Sequence, residues 1–162
     1  MKKNDVNKIQ AMDSNRQESI VLAVRLILGL IFLLSGYLKL LESPADFAAA
    51  IETYQILPVK LLLPVAQWMP WFELFSGAFL VTGYLTRAAG AAAGLMNCSF
   101  LLALAWTLVK GIKLSECGCF GGAGPHLKIW QTMILDSAMI LMAQYVLTQK
   151  THRLSLDSWI SK

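Results

Sequence analysis

The stretch from Ile20 to Leu41 reads "IVLAVRLILGLIFLLSGYLKLL", with Arg25 and Lys39 as its only charges. A helix that crosses a bilayer needs roughly 20 mostly apolar residues, and this stretch meets the requirement. Three others resemble it: "LLLPVAQWMPWFELFSGAFLVTG" (Leu61–Gly83), "AAGAAAGLMNCSFLLALAWTLVK" (Ala88–Lys110) and "IWQTMILDSAMILMAQYVL" (Ile129–Leu147). Four such stretches in 162 residues carry more apolar surface than one soluble core would bury. The predicted fold is therefore all-α, a four-transmembrane-helix bundle.

Composition points the same way. The chain is 56% hydrophobic and 15% charged, with mean hydropathy +0.55, whereas soluble domains carry about 25% charged residues. The net charge of +4 is spread along the chain without a basic run, so nucleic acid is not an expected partner and membrane lipid is. Residues 1–19 are polar and lack the early apolar stretch and small-residue cleavage site of a signal peptide. They are expected to form a cytoplasmic N-terminal segment, with 20–148 as the membrane domain and 149–162 as a polar cytoplasmic tail.

Between the first two spans lies "ESPADFAAAIETYQILP" (Glu42–Pro58). Ser followed by Pro marks a helix start, and Phe47, Ile51 and Tyr54 recur at helical spacing. A short amphipathic interfacial helix at the membrane surface is predicted, ending before Pro58. The small residues of Ala88–Gly94 predict close helix packing. Met96, Met133, Met139 and Met142 read as packing or lipid-facing residues.

Orientation follows from the flanking Lys and Arg. Lys2, Lys3, Lys8, Arg16, Arg87, Lys150, Arg153 and Lys162 fall on the side of the termini, and Lys39, Lys60, Lys110, Lys113 and Lys128 on the other. Both termini are thus expected in the cytoplasm. The protein is expected to be a multi-pass protein of an inner membrane, with the loop between spans three and four in the periplasm.

Charges within spans are costly and mark candidate functional residues. Arg25, Lys39, Glu73 and Asp136 are the four supporting polar residues. Lys39 is close enough to the outer end to snorkel, and Glu73 is expected to pair with Arg25. The alternatives are a buried ion pair that orients the bundle and a proton or redox relay. Pro70 is expected to kink span two, and Trp71 and Phe72 are candidates to line a pocket for a quinone-like ring, or else to face lipid.

The outward loop carries "SECGCFGG" (Ser115–Gly122). Cys117 and Cys119 are the candidate catalytic residues. A disulfide across Cys-Gly-Cys closes a small ring, with Gly118 tolerating the unusual dihedrals, and strained exposed disulfides are the reducible ones. A metal site with His126 and a purely structural disulfide remain open, although no fourth metal ligand is evident. Cys98, mid-span, reads as a small buried hydrophobe.

"RLILGLIFLLSGYLKLLESPADFAAAIETYQILP", "PWFELFSGAFLVTGYLTR" and "ECGCFG" follow one another over about Arg25–Gly122. In these segments the chain resembles the MauE/DoxX-like membrane proteins, most closely the MauE branch, with Lys39, Glu73, Cys117 and Cys119 at the matching positions. The resemblance implies a four-helix membrane bundle and a part in maturing the disulfide-rich small subunit of methylamine dehydrogenase. The expected activity is thiol–disulfide oxidoreduction by the cysteine pair. Its expected partner is a periplasmic thioredoxin-like protein or cysteine-containing client, and a quinone is the candidate cofactor. From another class, the alternative is a non-catalytic assembly protein with a loop-bracing disulfide.

Overall fold

The computed structural model describes residues 3–112 and 127–149, with side chains from residue 16 onward. Five helices make up the described chain: α1 (Lys3–Leu40), α2 (Pro44–Glu52), α3 (Val59–Thr82), α4 (Thr86–Val109) and α5 (Ile129–Thr148). The protein is all-α. The four apolar stretches correspond to the last part of α1 and to α3, α4 and α5. The helix that holds the first stretch begins at Lys3, so the polar segment and the apolar one share one continuous element.

Two helical segments, Arg16–Leu40 and Thr86–Val109, are long and apolar enough to cross a membrane. Helices α3 and α5, with 24 and 20 residues, have comparable length. They carry more polar side chains, among them Gln67 and Glu73 in α3 and Gln131, Asp136 and Gln144 in α5.

Buried positions recur every three or four residues. On α1 they are Val21, Arg25, Leu28, Phe32, Ser35 and Lys39, and on α5 Thr132, Asp136, Met139, Ala143 and Val146. This alternation keeps one seam of a helix against its neighbour, as in left-handed bundles. Helix α1 packs chiefly on α3 and α4 chiefly on α5, and the two pairs join through α1–α5 and α3–α4 contacts.

The α1–α3 contact is backbone against backbone. A Cβ on Gly77 would lie 2.8 Å from the Gly29 carbonyl oxygen, and a Cβ on Gly36 would lie 2.8 Å from that of Pro70. Because 29 and 36, like 70 and 77, are seven residues apart, the antiparallel helices touch at two levels in a fixed register. The small residues of α4 pack less tightly: a Cβ on Gly90 would meet Val146 at 3.6 Å. Of the methionines, Met139 is in the core with Met96 and Met142 packed against its cluster, and Met133 packs against Tyr54 and Leu104.

Ser43 caps α2, accepting from the Asp46 N–H at 3.2 Å, with Pro44 in the first turn. The predicted stripe is present, but it faces protein instead of the membrane surface. Phe47 and Ala48 are buried against Leu62 and Ala66 of α3, and Tyr54 packs with Leu104 of α4. The reason is chain length: few residues separate α2 from either neighbour, so the helix folds back on the start of α3. Between α3 and α4, Gly83 (φ 74°) and Leu85 (φ 48°) occupy left-handed backbone conformations and turn the chain sharply.

Candidate functional site

The α1–α3 register brings Lys39 and Glu73 together. Glu73 sits beside Gly36, its Cβ 3.2 Å from where a Cβ on that glycine would be. Helix side chains tilt toward the N-terminus of their own helix. Lys39 therefore leans back along α1 and Glu73 leans the opposite way along the antiparallel α3, so they converge. Lys39 Nζ donates to Glu73 Oε1 at 2.5 Å and to Ser35 Oγ at 3.0 Å, and Ser35 Oγ donates to Glu73 Oε2 at 2.8 Å. The triangle is closed, and the Lys39 side chain is fully buried.

Two sequence expectations are corrected here. Lys39 does not snorkel outward, because its Cα–Cβ direction carries it inward. Glu73 pairs with Lys39 and not with Arg25. Arg25 is buried on the same seam, but it lies eleven residues before Gly36, about 16 Å along the axis.

Aromatic rings complete the lysine's surroundings. Its Nζ lies 5.5 Å from the Phe47 ring centroid and 5.1 Å from that of Phe100. Phe47 thus gives α2 a role beyond packing, since it closes one side of the ion pair. Phe47→Leu keeps most of the apolar volume but removes the ring face, and should lower unfolding stability by about 0.5–2 kcal/mol. Comparing thermal melts of the two purified chains checks this, and an unchanged midpoint would count against the cation–ring contact.

Asp136 of α5 and Asn97 of α4, both 4% exposed, approach the triangle from the other helix pair. With Ser35, Glu73, Phe32 and Phe100 they line a cavity of about 20 Å³. Sequence reasoning singled out Asp136 but missed Ser35 and Asn97. Their signal was position: Ser35 is one turn before Lys39, and Asn97 continues the buried α4 series of Ala89, Gly90 and Ala93.

A second cavity, apolar and about 220 Å³, lies between α2, α3 and α4, with Tyr54, Met69 and Phe100 in its wall. Trp71 and Phe72 line neither cavity; they are 45% and 62% exposed, on the outer face of α3. Helix α3 is continuous through Pro70, whose carbonyl lies at one of the two close approaches to α1.

Cys117, Cys119 and His126 lie outside the described residues, and with them the redox, metal and structural readings of the loop. Cys98 is a free cysteine of intermediate burial in α4. Among the described residues no three His, Cys, Asp or Glu side chains are grouped to hold a metal ion.

The family model for methylamine utilisation protein MauE matches residues 17–149, which take in every residue of this cluster. The chain belongs to the MauE family. Methylamine utilization protein MauE of Methylophilus methylotrophus is 30% identical over 79 residues, 49% of this chain and 42% of that protein. MauE of Paracoccus denitrificans is 25% identical over 132 residues, 82% of this chain and 70% of that protein. The chain thus spans less than half the length of the first relative and about two thirds of the second. No solved structure matches it.

Proposed function

We propose that this MauE-family chain is a four-span membrane protein serving methylamine utilisation through thiol–disulfide exchange at Cys117 and Cys119. The membrane reading is carried by the distribution of polarity. Outward positions are apolar on all four long helices, with Leu30, Leu34, Leu63, Phe72, Leu95, Leu102, Ile134 and Leu141 exposed. Buried positions hold Arg25, Lys39, Glu73, Asn97 and Asp136. A water-soluble bundle has the opposite arrangement, whereas in a bilayer the expensive polar groups turn inward. The distribution of Lys and Arg puts both termini in the cytoplasm and the cysteine loop in the periplasm of an inner membrane.

Redox use of the pair is supported by its sequence, Cys-Gly-Cys in a glycine-rich loop, and by its place between α4 and α5 on the oxidising side. In the proposed cycle a client thiolate attacks the Cys117–Cys119 disulfide, forms a mixed disulfide and releases one protein thiolate. A second client thiolate then displaces the other cysteine. The client leaves with a disulfide, and the loop keeps the two electrons as a dithiol. A thioredoxin-like protein in its disulfide form, or a membrane quinone, would accept those electrons. For a quinone ring the apolar cleft beside Phe100 offers room that Trp71 and Phe72 do not.

Trapping tests this reading. Cys119→Ser should accumulate a partner disulfide-linked to Cys117, visible on non-reducing gels and absent after reduction, with Cys117→Ser as the converse control. If neither variant captures a partner and both support methylamine-dependent growth fully, the redox reading of the pair fails.

A further inference from the structure

We propose that the small cavity between the two helix pairs is a binding site for a single water molecule, held by Asn97, Asp136 and Glu73. At about 20 Å³ the cavity exceeds the roughly 10–15 Å³ that one water needs. Its walls are polar where it counts. Asn97 Nδ2 and Asp136 Oδ2 are buried without a protein hydrogen-bond partner, and both residues line the space. One is a donor and the other an acceptor. Water satisfies both at once, accepting from the Asn97 amide and donating to the Asp136 carboxyl. Its second O–H turns to Glu73, whose oxygens each have a lone pair beyond those engaged by Ser35 and Lys39.

Competing occupants fit less well. A metal cation would face the Asn97 N–H groups, which are donors, and a Glu73 carboxylate already paired with Lys39. An apolar group would leave two buried polar atoms unpaired, which is the costly outcome in an interior. Water also closes a chain of hydrogen bonds that crosses the bundle, from Lys39 of α1 through Glu73 of α3 to Asp136 of α5 and Asn97 of α4. The α1–α3 pair and the α4–α5 pair are then joined at their centre by a polar link, and the link has one removable part. That link is separate from the cysteine chemistry and stands or falls without it.

Infrared spectroscopy of the purified full chain in lipid nanodiscs provides the test. The wild-type chain should show a narrow O–H stretching band that moves when the medium is changed to H₂¹⁸O. The same band should be missing in Asn97→Leu and in Asp136→Leu. In thermal melts each single variant should lower the midpoint, and the double variant should fall no further than the worse single one, because both remove the same bridge. A wild-type chain without an ¹⁸O-sensitive band would overturn the proposal even if the variants fail to fold. So would strictly additive midpoint losses, or a midpoint that rises with added sodium or potassium ions.

Discussion

Lys39→Met should destabilise the chain by about 3–5 kcal/mol, the usual cost of leaving one member of a buried ion pair without the other. The substitution keeps most of the apolar stem but removes the ammonium, so the two cation–ring contacts with Phe47 and Phe100 are lost together with the ion pair. What remains is the Glu73 carboxylate, 3% exposed, with Ser35 as its one remaining donor within the triangle. Adding Glu73→Leu to the same chain should recover most of the loss, since apolar replacements of a whole buried pair are often neutral or stabilising by 1–4 kcal/mol. Ser35 can then turn its hydroxyl back to the carbonyl one turn earlier. Thermal or denaturant unfolding of wild type, single and double variants in one detergent measures the cycle. Growth on methylamine, measured on the same strains, separates the roles: a double variant that is stable but inactive assigns the pair to function. One that is stable and active assigns it to bundle assembly. If Lys39→Met melts with wild type, the ion pair contributes nothing and the triangle is misassigned.

Gly77→Ala should be the most damaging single-methyl addition in the described chain. The new Cβ would come within 2.8 Å of the Gly29 carbonyl oxygen, 2.8 Å of the Leu33 backbone nitrogen and 2.9 Å of Leu33 Cγ. Two of those atoms are backbone and cannot rotate away, so α1 and α3 must separate. Overpacking of this kind costs about 1–3 kcal/mol, against a gain of roughly 0.5–1 kcal/mol from replacing glycine within a helix. Gly90→Ala is the matched control: its Cβ meets Val146 at 3.6 Å, an ordinary contact. That variant should keep the propensity gain and melt at or above wild type. Paired melts decide the matter, and similar behaviour of the two alanine variants would mean that the close α1–α3 approach is wrong. Separation of α1 from α3 also moves Glu73 away from Lys39, so Gly77→Ala should weaken the ion pair as well as the packing.

Much of the architecture could be read directly from residue order. Long apolar stretches located α3, α4 and α5 to within a few residues, because their ends are set by glycine, proline and polar residues close by. Ser43 and Pro44 announced α2. Family membership was legible from "SGYLKL", "PWFE" and "ECGCFG", which follow one another over most of the chain. The charges within the apolar stretches were also visible, since charge is rare in such segments.

Partnership between them was not legible. Which residue of α1 faces Glu73 depends on Gly29 meeting Gly77 and Gly36 meeting Pro70, contacts more than thirty residues apart that no local pattern encodes. Counting depth along the axis suggested Arg25, but it left out the opposite tilts of side chains on antiparallel helices, which favour Lys39. The face of α2 was right and its direction wrong, because an apolar stripe fits lipid and protein equally well. Asn97 and Ser35 escaped notice for a related reason. In these helices the outside is as apolar as the seam, so hydrophobic periodicity carries little information and only the three-to-four spacing of polar residues reveals the inner face.

The Lys39–Glu73 contact also constrains biogenesis. The two residues are 34 positions apart, so on the proposed four-span reading α1 would reach the bilayer before its counter-charge is synthesised. On that reading an unpaired ammonium would stay in the water-rich headgroup region and hold the end of α1 there. When α3 follows, Glu73 would neutralise it and the end of α1 would sink to its final depth. In a four-span protein the first and second spans therefore complete insertion as a hairpin, and a ribosome stalled before Glu73 should leave α1 shallower than in the finished chain.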